Sequence, residues 1–206
     1  MANTGWVLAG SGSNNTTTGV DWVNPGNITV SDGSYAICDL LGEEVSDYLL
    51  ASNFGFSIPT GATITLIEIN VYRWAVDVGG GELDDAEVYL VKTGTTKVGT
   101  ADYVGTWSLT PGSVATYNGP SGQPLWNTTW TPAEINSSGF GVVISVNEVG
   151  RADMQAVVNS VEARITYTPL ASGPANLKTV NGLAKASVKT IDGVAIASVK
   201  TVNGLA

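Results

Sequence analysis

The 206-residue chain contains no histidine, which removes the usual general base, the Ser–His and Cys–His nucleophile pairs and imidazole metal ligands. Its single cysteine, Cys38, excludes an intrachain disulfide and a thiolate zinc site. Charge is scarce at 13% of residues and mostly of one sign, with 18 acids against 9 bases and a net charge of −9. Nucleic acid is therefore not an expected partner, because binding it requires a positive footprint. Nowhere do 18 apolar residues run together, so no membrane-spanning helix is expected. The opening Met1-Ala-Asn-Thr-Gly-Trp-Val-Leu8 lacks the basic start and apolar stretch of a secretion signal, and synthesis in the cytoplasm is expected. Together these absences lead to the expectation of a protein that is not an enzyme and carries no cofactor.

What is present reads as strand. In Ile64–Val76, Ile67, Ile69 and Val71 alternate with Glu68, Asn70 and Tyr72, the period of two that marks a half-buried strand. Strands are expected near residues 4–9, 19–23, 34–41, 47–56, 63–76, 86–92, 113–118, 140–147 and 156–168. Glycine and proline clusters punctuate them, among them Asn24-Pro-Gly26, Pro59-Thr-Gly61, Gly79-Gly-Gly81 and Gly119-Pro-Ser-Gly122. Many short strands without helical periodicity predict an all-β fold, an antiparallel β-sandwich of jelly-roll type, over residues 1–168. One helix start stands out: Thr131-Pro-Ala-Glu134 is a capping box with proline at the first helical position, and Asn136-Ser-Ser-Gly139 stops the helix after a turn or two.

At about residue 169 the composition changes. Residues 169–174 read as a linker, and 175–206 hold an 11-residue repeat: Ala175-Asn-Leu-Lys-Thr-Val-Asn-Gly-Leu-Ala184, Ala186-Ser-Val-Lys-Thr-Ile-Asp-Gly-Val-Ala195 and Ala197-Ser-Val-Lys-Thr-Val-Asn-Gly-Leu-Ala206. Each copy sets Asn-Gly or Asp-Gly between β-branched residues, a hairpin signal, and the glycine argues against a helix. Leu177, Val180, Leu183, Val188, Ile191, Val194, Val199, Val202 and Leu205 recur at matching positions and have too few neighbours to bury themselves. They are the expected assembly interface of a β-rich tail. A homotrimer is the expected state, since three-fold bundling lets every repeat face two others. The tail is weakly basic: Lys178, Lys185, Lys189 and Lys200 against Asp192 give +3, so the remainder carries −12 of the total of −9.

Chemistry has few candidates. Glu82, Asp84, Asp85 and Glu87 cluster after the glycines, where acids ordinarily provide solubility; neither a facing glycosidase pair nor an EF-hand spacing is present, although a loop calcium site draws on the same residue types. Substitution of Glu82 or Asp85 by the amide is expected to leave the biological role intact. Trp107, Trp126 and Trp130 with Tyr117 are either a sugar-stacking platform or plugs at the ends of the sandwich, the second being favoured. Cys38, in the apolar run Ser34–Leu41, reads as a buried small hydrophobe. The Asn-X-Ser/Thr triplets at Asn14, Asn15, Asn27, Asn127 and Asn136 are expected by chance in so Asn-, Ser- and Thr-rich a chain.

Two segments carry a resemblance. The body holds Ser31-Asp-Gly-Ser-Tyr-Ala36, Ser46-Asp-Tyr-Leu-Leu-Ala-Ser-Asn-Phe-Gly-Phe-Ser-Ile-Pro-Thr-Gly-Ala-Thr-Ile64, Glu87-Val-Tyr-Leu-Val-Lys92 and Leu125-Trp-Asn-Thr-Thr-Trp-Thr-Pro-Ala-Glu-Ile-Asn136, ahead of Phe140-Gly-Val-Val-Ile144. It resembles a β-sandwich module of tailed-phage structural proteins and related prophage sequences. The tail is similar to the Ile/Val-Lys-x-Val/Ile-Asn-Gly-Val/Leu-Ala repeats that close many phage virion proteins. The resemblance implies a virion part displayed on the particle, as capsid decoration, head fibre or tail appendage, with other virion proteins as partners. A carbohydrate-binding receptor-recognition module, with a host surface glycan as partner, is the rival reading.

Overall fold

The structure is a computed structural model that describes residues 1–15, 19–150 and 153–171, and in the C-terminal part the backbone of residues 179–180, 183–184, 190–191 and 194–195. The chain divides into two units, Met1–Thr168 and Pro169–Ala206.

The first unit is all-β, two antiparallel sheets in a sandwich-like arrangement. In one sheet the long β11 (Asp153–Thr168) is flanked on one side by β6 (Thr63–Asp77), itself paired with β9 (Val114–Tyr117). Along its other edge lie three short strands, β1 (Ala2–Asn3), β2 (Val7–Leu8) and β4 (Ala36–Leu41). The second sheet runs in the order β3 (Ser11–Asn15), β5 (Tyr48–Ser52), β10 (Gly141–Val149), β7 (Glu82–Val91), β8 (Lys97–Asp102). The core lies where their inner faces meet. Ile67, Ile69 and Val71 of β6 are fully buried there, opposite Val142, Ile144 and Val146 of β10 and Val88 and Leu90 of β7. On the outward side of β6, Glu68 takes a two-point ion pair from Arg164 at 2.7 Å, and Arg164 also lies over the Trp6 ring at 4.5 Å.

Departures from the sequence-based expectation have local causes. The strand expected near 19–23 is reduced to two isolated bridges, Val20 with Ser46 and Val23 with Ile37, because Trp22 turns into the core and donates its indole N–H to the Asp47 carbonyl at 2.9 Å. The strand expected to run to residue 56 stops at Ser52, where Asn53 adopts a left-handed φ of 58°, yet Phe54, Phe56 and Ile58 remain buried, with Phe54 and Phe56 packed on Phe140. Two strands, β3 and β8, arise from sequence of low strand propensity. In β3, Gly12 admits the 3-10 turn Pro25–Thr29: a Cβ there would sit 2.1 Å from the Pro25 carbonyl oxygen. Asn14 then substitutes for a strand partner, bonding the backbone N–H and C=O of Trp22 at 3.0 and 2.9 Å.

The capping box folds as the sequence prescribes. Helix α1 (Pro132–Ile135) starts with the Glu134 N–H donating to Thr131 Oγ1 at 3.2 Å, while Glu134 Oε2 accepts from the Thr131 N–H at 2.8 Å. Cys38 is fully buried, with its thiol donating to the Val20 carbonyl at 3.5 Å. Burial, reinforced by the carboxylates of Asp39, Glu44, Asp47 and Asp21, pushes the thiol up to about 12 from 9.0. Thiolate is therefore scarce at pH 8, and thiol reagents are expected to label Cys38 only on unfolding, which a labelling time course with and without denaturant measures. The contribution of Cys38 to stability should be constant below about pH 9 and fall as the pH rises toward 12, because only the unfolded chain then releases the proton.

In the second unit, β12 (Thr179–Val180) pairs with β13 (Leu183–Ala184), and β14 (Thr190–Ile191) with β15 (Val194–Ala195). Val180 stands opposite Leu183, and Ile191 opposite Val194, so each ladder closes across two residues. These positions are equivalent in the first two repeats, 11 residues apart.

Candidate functional site

The four acids that the sequence groups together are separated by the fold. In β7 the pairing with β10 shifts register, Ser145 standing opposite Glu87 and Val146 opposite Asp85, so Ala86 is the extra residue of a bulge. Residues two apart in a strand ordinarily share a face; the bulge sends Asp85 inward and Glu87 outward. Glu82 lies exposed at the strand start. Among the described residues no group of three or more Cys, Asp or Glu side chains is placed to hold a metal ion.

Asp85 is a structural hub, which corrects the expectation that it serves solubility. Its side chain is fully buried and ion-paired to Arg73 at 2.5 Å. Oδ1 also accepts from the Trp107 indole N–H at 3.0 Å and the Tyr117 hydroxyl at 2.9 Å. Oδ2 accepts from the backbone N–H of Val104 at 2.9 Å and Gly105 at 3.3 Å. The Arg73 guanidinium stacks over Trp107, 4.4 Å from the ring centroid, with Tyr117 at 5.5 Å. Burial drives the Tyr117 hydroxyl well above its ordinary range, against the pull of Arg73. Arg73 comes from β6 and Asp85 from β7, so this network ties the two sheets together through the core. The sequence gives no sign of it, since both residue types are normally exposed.

The same burial removes the sugar-stacking platform. Trp126 and Tyr117 are 0% exposed, Trp107 3% and Trp130 7%. Trp126 donates its indole N–H to the Ile67 carbonyl at 3.2 Å, and Trp130 packs edge-on against Phe140 at 5.3 Å. None offers a ring face to a ligand.

Glu87 forms a cluster on the outer face of the second sheet. Lys97 Nζ donates to Glu87 Oε2 at 2.8 Å and to the Tyr48 hydroxyl at 2.6 Å, the Tyr48 hydroxyl itself donates to Glu87, and Lys97 lies over the Tyr48 and Tyr89 rings at 4.6 and 4.8 Å. Burial alone would raise the Glu87 carboxyl, but the hydrogen bonds from Lys97 and Tyr48 hold it below its usual range. With both charged side chains 36% exposed, the pair contributes roughly 0–1 kcal/mol. The cluster shields Leu50, Val91 and Val143 beneath it, and its polar groups are spent on one another.

Of the expected assembly residues, Val180, Leu183, Ile191 and Val194 fall in the two hairpin ladders. Leu177, Val188, Val199, Val202 and Leu205 lie outside the described residues. Residues 123–125 and 127–129 line an uncharged groove on the body that no motif in the sequence marks as a site. Among the described residues no helix is long and apolar enough to cross a membrane. No family model matches the chain, and no curated protein or solved structure matches it either.

Proposed function

We propose that the chain is a non-enzymatic structural subunit of a tailed-phage virion, made in the host cytoplasm and displayed on the particle as capsid decoration, head fibre or tail appendage. The body is read as a jelly roll. Its wiring supports this: the eight successive strands β4 to β11 distribute as β4-β11-β6-β9 in one sheet and β5-β10-β7-β8 in the other, two interlocked Greek keys of the kind used by virion coat domains.

The observation that carries the reading is the repeated hairpin ladder. Two equivalent two-stranded units recur at the repeat spacing, and among the described strands each pairs only within itself. A lone two-stranded hairpin is marginal in water. Burying each Val, Ile or Leu side chain contributes roughly 1.5–3 kcal/mol, against about 1–2 kcal/mol for every backbone position ordered, so a single copy of the tail cannot hold itself together. Three chains bundled through their tails, docked on another virion protein, can.

Tyr167 pairs with Ala2 at one end of the long strands, while the β6–β7 connection at residues 78–81 lies at the other end.

Removing residues 175–206 is the test. The truncated chain should keep its strand-dominated circular dichroism, fall from trimer to monomer mass in light scattering, and disappear from purified particles. A truncated chain that keeps the mass and particle attachment of the full protein overturns the reading.

A further inference from the structure

The segment between β9 and α1 is built around a backbone anomaly. Trp126 and Asn127, neither of them glycine, both lie in the left-handed region, at φ 60° and 58°. For the tryptophan this costs about 1–2 kcal/mol, and the conformation persists only because its surroundings fix it. The Trp126 ring is locked in the core, its carbonyl accepts from the Thr100 N–H at 2.9 Å, and its N–H donates to the Gln123 carbonyl at 2.7 Å. The Pro124 carbonyl accepts from the Ile67 N–H at 3.1 Å. At the far end Lys92 Nζ holds the Thr129 carbonyl at 2.7 Å and Glu134 at 2.9 Å. The result is a shallow groove of about 340 Å³ lined by Gln123, Pro124, Leu125, Asn127, Thr128 and Thr129.

The lining has a definite chemistry. It contains two amides, two hydroxyls and a small apolar patch from Pro124 and Leu125, and no charge. Asn127 Nδ2 donates to Thr100 Oγ1 at 3.2 Å. Among the described residues no other hydrogen bond engages the Gln123 and Asn127 amides or the Thr128 and Thr129 hydroxyls, so the groove is lined by donors and acceptors whose capacity is unspent. Lys92, the cation at its rim, is already committed to Thr129 and Glu134.

We propose that this groove binds an uncharged, hydroxyl-rich ligand, a short neutral glycan. Side-chain amides both donate and accept, which matches adjacent sugar hydroxyls, and Pro124 and Leu125 can take the C–H face of a ring. Net charge selects in the same direction. A body carrying −12 repels anions, while cations find no carboxylate in the groove; a neutral ligand alone is indifferent to that field. The site stands on the groove itself and does not depend on the particle reading, so either can fail without the other.

The test uses the full chain. An array of neutral and acidic glycans is screened, and the best neutral ligand is titrated by calorimetry against the native protein, Gln123→Ala, Thr129→Ala and the isosteric Gln123→Glu. Neutral glycans are expected to bind, and each substitution should weaken binding about tenfold, the loss of one or two ligand hydrogen bonds, with the melting temperature unchanged. Inorganic phosphate and acidic glycans should not bind. The proposal is overturned if no neutral glycan binds up to about 10 mM, if binding survives all three substitutions, if acidic ligands are preferred, or if the groove's only ligand proves to be a protein.

Discussion

Replacing Asp85 with alanine is expected to destabilise the protein by about 3–5 kcal/mol, a large share of the roughly 5–15 kcal/mol that holds a typical domain folded. The expectation rests on what is left behind. Without the carboxylate, the Arg73 guanidinium remains 3% exposed between two sheets, left with the neutral Gly105 carbonyl at 3.5 Å and the Trp107 and Tyr117 side chains. The Trp107 indole N–H, the Tyr117 hydroxyl and the backbone N–H groups of Val104 and Gly105 lose their acceptor in the same step. Asp85→Asn keeps the volume but turns an acceptor of five groups into one that also donates, so it too should be costly. Removing both charges at once is different: Arg73→Met with Asp85→Leu deletes the desolvation penalty along with the attraction, and should recover much of the loss. Urea denaturation of the three variants reads this directly. An Asp85→Ala protein within 1 kcal/mol of the native chain would show that the network contributes little.

How far the fold can be read from sequence depends on how local its causes are. The alternation of β6, the capping box of α1 and the apolar run around Cys38 are written within a few residues, and each takes the form its local chemistry dictates. The repeat in the tail is equally plain, and its first two copies place paired strands on either side of Asn-Gly and Asp-Gly. What escapes a local reading is decided across the chain. Asp85 becomes a core residue because a bulge at Ala86 turns it toward Arg73, 12 positions earlier. Trp126 becomes buried because Ile67, 59 positions away, supplies an acceptor for its indole. Strand β3 exists because Gly12 admits a turn and Asn14 imitates a strand edge, neither of which strand propensity records. The groove at Gln123–Thr129 depends on two left-handed residues that no side-chain preference predicts for a tryptophan.

Gly99→Ala is expected to rank with Asp85→Ala in its effect. Gly99 sits in β8 at φ +74°, and a Cβ built there would lie 1.8 Å from the Trp126 carbonyl oxygen and 3.0 Å from its carbonyl carbon. Backbone in contact with backbone cannot rotate away as a side chain would. The Trp126 peptide is held by its buried ring, by the Thr100 N–H and by its left-handed φ, so relief requires the seam between β8 and residues 123–128 to open. A left-handed alanine alone costs about 1–2 kcal/mol, and the broken seam should bring the total to about 3 kcal/mol or more. Gly112 provides the comparison: its φ is +77°, but nothing lies within 4 Å of the position its Cβ would take. Gly112→Ala should therefore show the conformational cost alone, about 1–2 kcal/mol. Denaturation midpoints of the two variants isolate the close approach from the backbone conformation, and equal losses would sink the argument. Because the seam also forms one wall of the groove, Gly99→Ala should abolish glycan binding under conditions where Gly112→Ala, still folded, binds like the native chain.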